Sequence, residues 1–137
     1  MRMTTEQYVE VRANADSYAI PILEIHEIIR MQEITHIPNS RSCVLGVINL
    51  RGQIIPIVSL RERLGLPEEE VNKHTRIVVV NDHDSVIGMI VDSVHQVMSF
   101  EDIQPPPEDE HVTYLQGIGR KGDALVSILD VAKLMDN

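Results

Sequence analysis

Short runs of aliphatic, mostly β-branched residues recur along the chain, and turn residues separate them at intervals of roughly eight to twelve positions. This spacing is typical of an all-β barrel or sandwich and predicts about ten strands. Alternation at 8–13 predicts a hairpin with 18–21 across the turn residues 14–17. The strongest hairpin signal is the pair of runs 46–50 and 53–58, because Gly52 between them can take a positive φ.

One segment follows a different period. Between positions 21 and 30, isoleucines recur at intervals of three and four residues, which predicts a short helix with Glu27 on its polar face. Pro21 suits the first turn of such a helix, where a missing N–H costs nothing. Pro56 cannot donate to a β-ladder, so its strand is predicted to lie at an edge or to carry a bulge.

The remaining elements follow from turn and capping residues. Ser59 is predicted to cap a helical turn at 60–64, and Asp130 a terminal helix at 131–135. The polar, acidic stretch 66–74 is predicted to divide two β subdomains, and the triple proline in 105–111 predicts an extended loop. Further runs predict strands at 34–38, 75–80, 85–91, 94–100, 114–119 and 124–129.

Charge and composition narrow the possible functions. A formal net charge of −9 opposes binding to phosphate backbones, and the absence of tryptophan with only 3% aromatic residues removes most stacking platforms. The single cysteine, Cys43, cannot form an internal disulfide, which fits a reducing cytoplasm. No apolar run approaches the ~20 residues of a membrane helix, and no secretory signal opens the sequence.

The sequence contains no motif that would support an enzymatic function. The six histidines lack the spacing of a zinc site, Gly117-Ile118-Gly119 lacks the third glycine of a dinucleotide loop, and no serine has the framing of a nucleophile elbow. We therefore expect no metal, no cofactor and no catalytic residues. Arg51, at a predicted hairpin tip, is either simply solvated or functional, and the pattern alone leaves both open.

The stretch 46–61, GVINLRGQIIPIVSLR, resembles the signature of the CheW-like domain, a family of bacterial chemotaxis adaptors. The segments 18–28, 90–94 and 129–134 are similar to other motifs of the family, so the resemblance covers nearly the whole chain. It implies a single, mainly β domain over 1–137, built from two Src-homology-3-like five-stranded barrels with short helices. Ser59 departs from the Asp that the family commonly has there, but either residue can cap the following turn.

The resemblance also implies a function. Such a domain is a non-catalytic, cytoplasmic adaptor that couples methyl-accepting chemoreceptors to the histidine kinase CheA at membrane-bound receptor arrays. The kinase's regulatory domain is expected at apolar residues on the end of the barrel that carries the hairpin 46–58. The receptor's cytoplasmic tip is expected in a groove whose family positions, with three apolar neighbours, correspond here to Ile25, Glu27, Thr35, Gly46, Val47, Ile48, Leu50, Arg51 and Gly52.

Two alternatives remain beside this reading. A coupling protein of a type IV pilus or surface-signalling pathway could be built on the same domain. An enzyme in an unfamiliar barrel would need a pocket with convergent titratable groups, which nothing in the sequence supplies.

Overall fold

A computed structural model describes residues 6–38, 43–108 and 114–135, and within these ranges the chain forms two β-sheets. The six-stranded sheet has the order β8-β1-β2-β11-β10-β9, and the five-stranded sheet has the order β3-β6-β7-β5-β4. The strands are β1 Tyr8–Ala13, β2 Asp16–Pro21, β3 Ile25–Arg30, β4 Gly46–Leu50, β5 Gln53–Ser59, β6 Arg76–Asp82, β7 Ser85–Val91, β8 Ser93–Met98, β9 Asp102–Gln104, β10 Leu115–Lys121 and β11 Ala124–Leu129. The mainly β fold with two subdomains is therefore confirmed, although one sheet has six strands rather than five.

Three clusters of buried apolar residues pack against these sheets, and strand β6 contributes to two of them. Ile77 and Val79 of β6 point into a cluster inside the five-stranded sheet, whereas Val78 and Val80 point into a larger cluster shared by both sheets. Both faces of β6 are thus buried, which explains its unbroken apolar run. A third cluster, around Tyr8 and Phe100, fills the inside of the six-stranded sheet.

The helix predicted at 21–30 is wrong in most of its length. Only Ile22–Glu24 forms a single 3-10 turn, and Ile25–Arg30 is strand β3, which pairs with β6 with one register shift between Ile25 and Glu27. Burial in β3 alternates between half-buried and exposed residues, as on an edge strand. The isoleucines recur at helical intervals, but isoleucine is β-branched and has only a weak preference for helix. Pairing with the apolar strand β6 therefore decides the conformation of this segment.

Two expectations about the β4–β5 hairpin had different outcomes. Ser59 caps α1, Leu60–Arg63, and its hydroxyl accepts a hydrogen bond from the Glu62 amide at 3.3 Å. Pro56, however, lies in an inner strand, since β5 pairs with both β4 and β7. The strand accommodates it because Val47 opposite gives its own N–H to Thr35, and pairing with β7 begins only at Ile57.

The segment 66–74 does not separate the two sheets. It joins α1 to β6, and the strands on both sides belong to the five-stranded sheet. The chain instead passes between the sheets at two other places, from β2 to β3 and from β7 to β8. Local polarity identified an exposed connection here, but sheet membership depends on long-range pairing that local composition does not encode.

The later elements agree closely with expectation. The hairpin β10–β11 turns at Gly122 and Asp123, and the Asp130 carboxylate accepts a hydrogen bond from the Lys133 amide at the start of α2, Val131–Met135. Residues 105–108 form no regular structure, and the rest of the predicted proline loop, 109–111, lies outside the described residues. Strand β9 was not predicted, and the expected strand at 34–38 contributes only a bridge between Thr35 and Val47.

A partly buried ion pair ties the two sheets together at the β7–β8 crossing. Arg61, 6% exposed, donates from Nε and Nη2 to the two oxygens of Asp92, each at 2.8 Å. Asp92 also accepts from the amide of Asn14, in the β1–β2 turn, at 2.8 Å. Burial raises the pKa of Asp92, but these hydrogen bonds outweigh it and hold that pKa below its usual range.

We expect Arg61→Gln to destabilise the fold by on the order of 3 kcal/mol, because Asp92 would keep its partly buried charge without the partner that compensates it. Denaturant unfolding would measure this difference. The matched control is Arg120→Gln, which breaks the exposed pair with Glu101 and should cost ~1 kcal/mol or less. Equal losses for the two variants would contradict a structural role for the Arg61–Asp92 pair.

Candidate partner-binding site

The β4–β5 hairpin ends in a turn that holds Arg51 in an unusual backbone conformation. Arg51 has a φ of 51° and Gly52 a φ of 88°, so both central residues are left-handed, as in a type I′ turn. The amide of Gly52 donates to Oδ1 of Asn49 at 2.8 Å, which fixes the turn. A left-handed residue other than glycine costs about 1 kcal/mol and is enriched at functional sites.

The side chain of Arg51 reaches across to β3. Its Nη2 donates to a carboxylate oxygen of Glu27, while the Arg51 side chain remains 69% exposed. Because β4 and β3 are at opposite edges of the five-stranded sheet, this pair joins the hairpin tip to the far edge strand. An exposed pair contributes only ~0–1 kcal/mol to folding, so its main effect is to orient the guanidinium.

Three other residues of the predicted receptor site meet at the opposite end of β4. Thr35 and Val47 exchange two backbone hydrogen bonds, each at 2.9 Å, which dock the segment after β3 onto the hairpin. Gly46 permits this close approach, because a Cβ at that position would lie 2.3 Å from the carbonyl oxygen of Thr35. The docking brings the edge region of β3 alongside β4.

The structure separates the rest of the predicted set by burial. Ile48 and Leu50 are only 2% and 8% exposed and belong to the cluster inside the five-stranded sheet, so they are core residues rather than groove walls. Ile25 is half-buried against the cluster shared by both sheets. The prediction placed these apolar residues by their position in the motif, which does not distinguish the two faces of a strand.

An apolar hollow of about 300 Å³ lies on the outward side of the β4–β5 hairpin. Its walls are aliphatic apart from Asp82 and Ser85, and they comprise Ile37, Val44, Val47, Pro56, Val86 and Ile87. Ile54, two residues before Pro56 on the same face of β5, is 60% exposed. We call the lining residues and Ile54 together the apolar hollow.

The described residues hold no group of three or more His, Cys, Asp and Glu side chains arranged to bind a metal. Among the helices that the structure describes, none is long and apolar enough to span a membrane.

Comparison with known proteins identifies the family. A model of the CheW-like domain matches residues 7–137. The chemotaxis protein CheW of Helicobacter pylori is 38% identical over 94% of this chain and 81% of its own length, and that of Bacillus subtilis is 32% identical over 97% and 88%. This chain belongs to the CheW family.

A solved CheW structure supports the fold as well. The crystal structure of the scaffolding protein TtCheW from Thermoanaerobacter tengcongensis superposes with a TM-score of 0.89 at 30% identity, covering 98% of this chain and 94% of that one. The expectation of two Src-homology-3-like subdomains is thereby confirmed, and with it membership of a family of chemotaxis scaffold proteins.

One carboxyl group, that of Glu24, is in an unfavourable environment. Glu24, in the 3-10 turn just before β3, has a buried oxygen with no hydrogen-bond partner among the described residues. Burial raises the pKa of Glu24, and the nearby carboxylates of Asp130 and Glu6 raise it further. The ionised form of Glu24 therefore opposes folding.

We expect Glu24→Gln to raise the melting temperature at pH 7 and to change it little near pH 4. The pKa of Glu24 is higher in the folded state than in the unfolded chain, so stability is lost as the pH rises above about 4.5 and both states ionise. Gln removes that loss. Thermal melts of both proteins across this pH range would test it, and a stabilisation that is largest at pH 4 would contradict it.

Proposed function

We propose that this chain couples methyl-accepting chemoreceptors to the histidine kinase CheA, and that it does so by binding each partner on a separate surface without chemistry of its own. Membership of the CheW family supports the role. The protein would then act in the cytoplasm, at arrays of membrane-bound receptors. The observation that carries the receptor contact is the exposed ion pair between Arg51 and Glu27.

The receptor surface is proposed at Glu27, Arg51 and Gly52, with Thr35 at its margin, whereas Val47 lies in the apolar hollow. The backbone of Arg51 is in a strained left-handed conformation, and its guanidinium lies in solvent, where it contributes little to folding stability. Glu27 orients that guanidinium but leaves donors directed outward, because an arginine has five N–H groups and this contact uses one. A receptor helix could accept these donors on its polar side.

The kinase surface is proposed at the apolar hollow with Ile54. This face carries large aliphatic side chains in solvent, and soluble proteins rarely leave an extended apolar patch without a partner. Val47 and Pro56, which both line it, are cross-strand neighbours, so they form one continuous apolar surface on the outward face of the hairpin. Arg51 lies four residues farther along β4 and its turn, so the two proposed contacts can coexist.

We expect Arg51→Ala to weaken binding of a receptor cytoplasmic fragment about fivefold or more while changing stability by ~0.5 kcal/mol or less. The substitution removes an orienting contact, worth ~1 kcal/mol in a binding site, from an exposed side chain. Calorimetric titration and thermal melts would measure the two effects separately.

The control for Arg51→Ala is Lys121→Ala, since Lys121 is an exposed cation beside the other glycine-containing hairpin tip, at Gly122. That control should leave receptor affinity unchanged. Gly52→Val should instead lower stability, because a β-branched residue is strained at a φ of 88°. Should Arg51→Ala bind receptor as the parent does, or melt many degrees lower, the proposed receptor surface is wrong.

For the kinase contact, we expect Ile37→Glu and Ile54→Glu each to reduce binding of the CheA regulatory domain roughly tenfold, because each places a charge in an apolar interface. Leu125→Glu is the matched control, since Leu125 is 70% exposed on β11 of the other sheet. Binding would be followed by interferometry with the immobilised regulatory domain. Unchanged affinity for both hollow variants, or an equal loss for Leu125→Glu, would rule out this surface.

A further inference from the structure

Two arginines face each other directly at the end of the five-stranded sheet that is farthest from the β6–β7 turn. Arg30, the last residue of β3, pairs in register with Arg76, the first residue of β6. Side chains directly opposite on antiparallel strands share one face of the sheet, with Cβ atoms about 5 Å apart, and like charges placed there are destabilising. This chain has a net charge of −9, so acidic residues to neutralise them are abundant in the sequence.

The arginines line an open hollow together with a third cation. Lys73, Met31, Asn72 and Thr75 complete its walls, and the hollow has a volume of about 400 Å³. Among the described residues, no carboxylate lies within ion-pair distance of Arg30, Lys73 or Arg76. We call Arg30, Lys73 and Arg76 the basic hollow.

Backbone contacts hold one of these cations in place without neutralising it. Nη1 of Arg76 donates to the carbonyl oxygens of Lys73 and Thr75, each at 2.9 Å. Its Nη2 has no partner among the described residues, so it is available to an incoming acceptor. A cation that is oriented but not paired is suited to binding an anionic group.

We propose that the basic hollow docks an acidic segment of a protein partner, a contact beyond the two surfaces of the proposed function. The hollow is open to solvent, which favours a segment lying across it over an enclosed small molecule. A protein segment presents its negative charge locally. A nucleic acid or an anionic membrane would extend its charge past the hollow and be repelled by the acidic remainder of the chain.

The test uses the whole isotope-labelled chain and a short peptide of alternating Glu and Ser, with its Gln-for-Glu counterpart as the neutral probe. We expect amide shifts confined to the basic hollow with the acidic peptide and none with the neutral one. Arg30→Gln and Lys73→Gln should each weaken binding at least about threefold, and Lys121→Gln should not. Arg30→Gln should also leave the melting temperature unchanged or raise it, because it relieves a like-charge contact.

Several results would overturn the proposal. No binding of the acidic peptide, or shifts spread evenly over Lys121, Lys133 and the hollow, would show that the three cations form no site. A lower melting temperature for Arg30→Gln would assign Arg30 to the fold instead. Tighter binding of duplex DNA or of phosphatidylserine vesicles than of the peptide would identify a different class of partner.

Discussion

The apolar layer shared by the two sheets is the constraint on which the rest of the structure depends. Residues from both sheets contribute to this cluster, including Val9 and Val11 of β1 and Val78 and Val80 of β6. Complete burial of an aliphatic side chain of this kind contributes roughly 1.5–3 kcal/mol, so the layer fixes the two sheets against each other. The Arg61–Asp92 pair adds a directional polar contact at the point where the chain crosses between them.

This architecture directs binding features to the periphery. The middle residues of the interior strands β6 and β7 are buried, so the surfaces proposed for binding lie at edge strands, strand ends, hairpin tips and the outward face of the β4–β5 hairpin. Arg51, the apolar hollow and the basic hollow occupy different parts of that periphery. A chain with several separate candidate contact areas meets the physical requirement for a scaffold, because one partner need not displace another.

The sequence predicted most of the strands, and it predicted the β4–β5 hairpin because glycine in the turn and β-branched runs beside it act locally. It failed at β3, where pairing with β6 decides the conformation of a segment whose own period is helical. It also failed to separate Ile48 and Leu50, which are buried, from exposed Ile54, since an unbroken apolar run does not reveal which face meets the core. The Arg30–Arg76 contact depends on strand register, which no local pattern encodes.

We propose that the receptor and the kinase occupy separate surfaces of this chain. The most direct test is light scattering of the chain mixed with the CheA regulatory domain and a soluble receptor fragment, compared with each pair alone. We expect a species whose mass contains all three components, formed without loss of the kinase domain as receptor fragment is added. Displacement of the kinase domain by the receptor fragment, with only binary complexes at saturation, would contradict it.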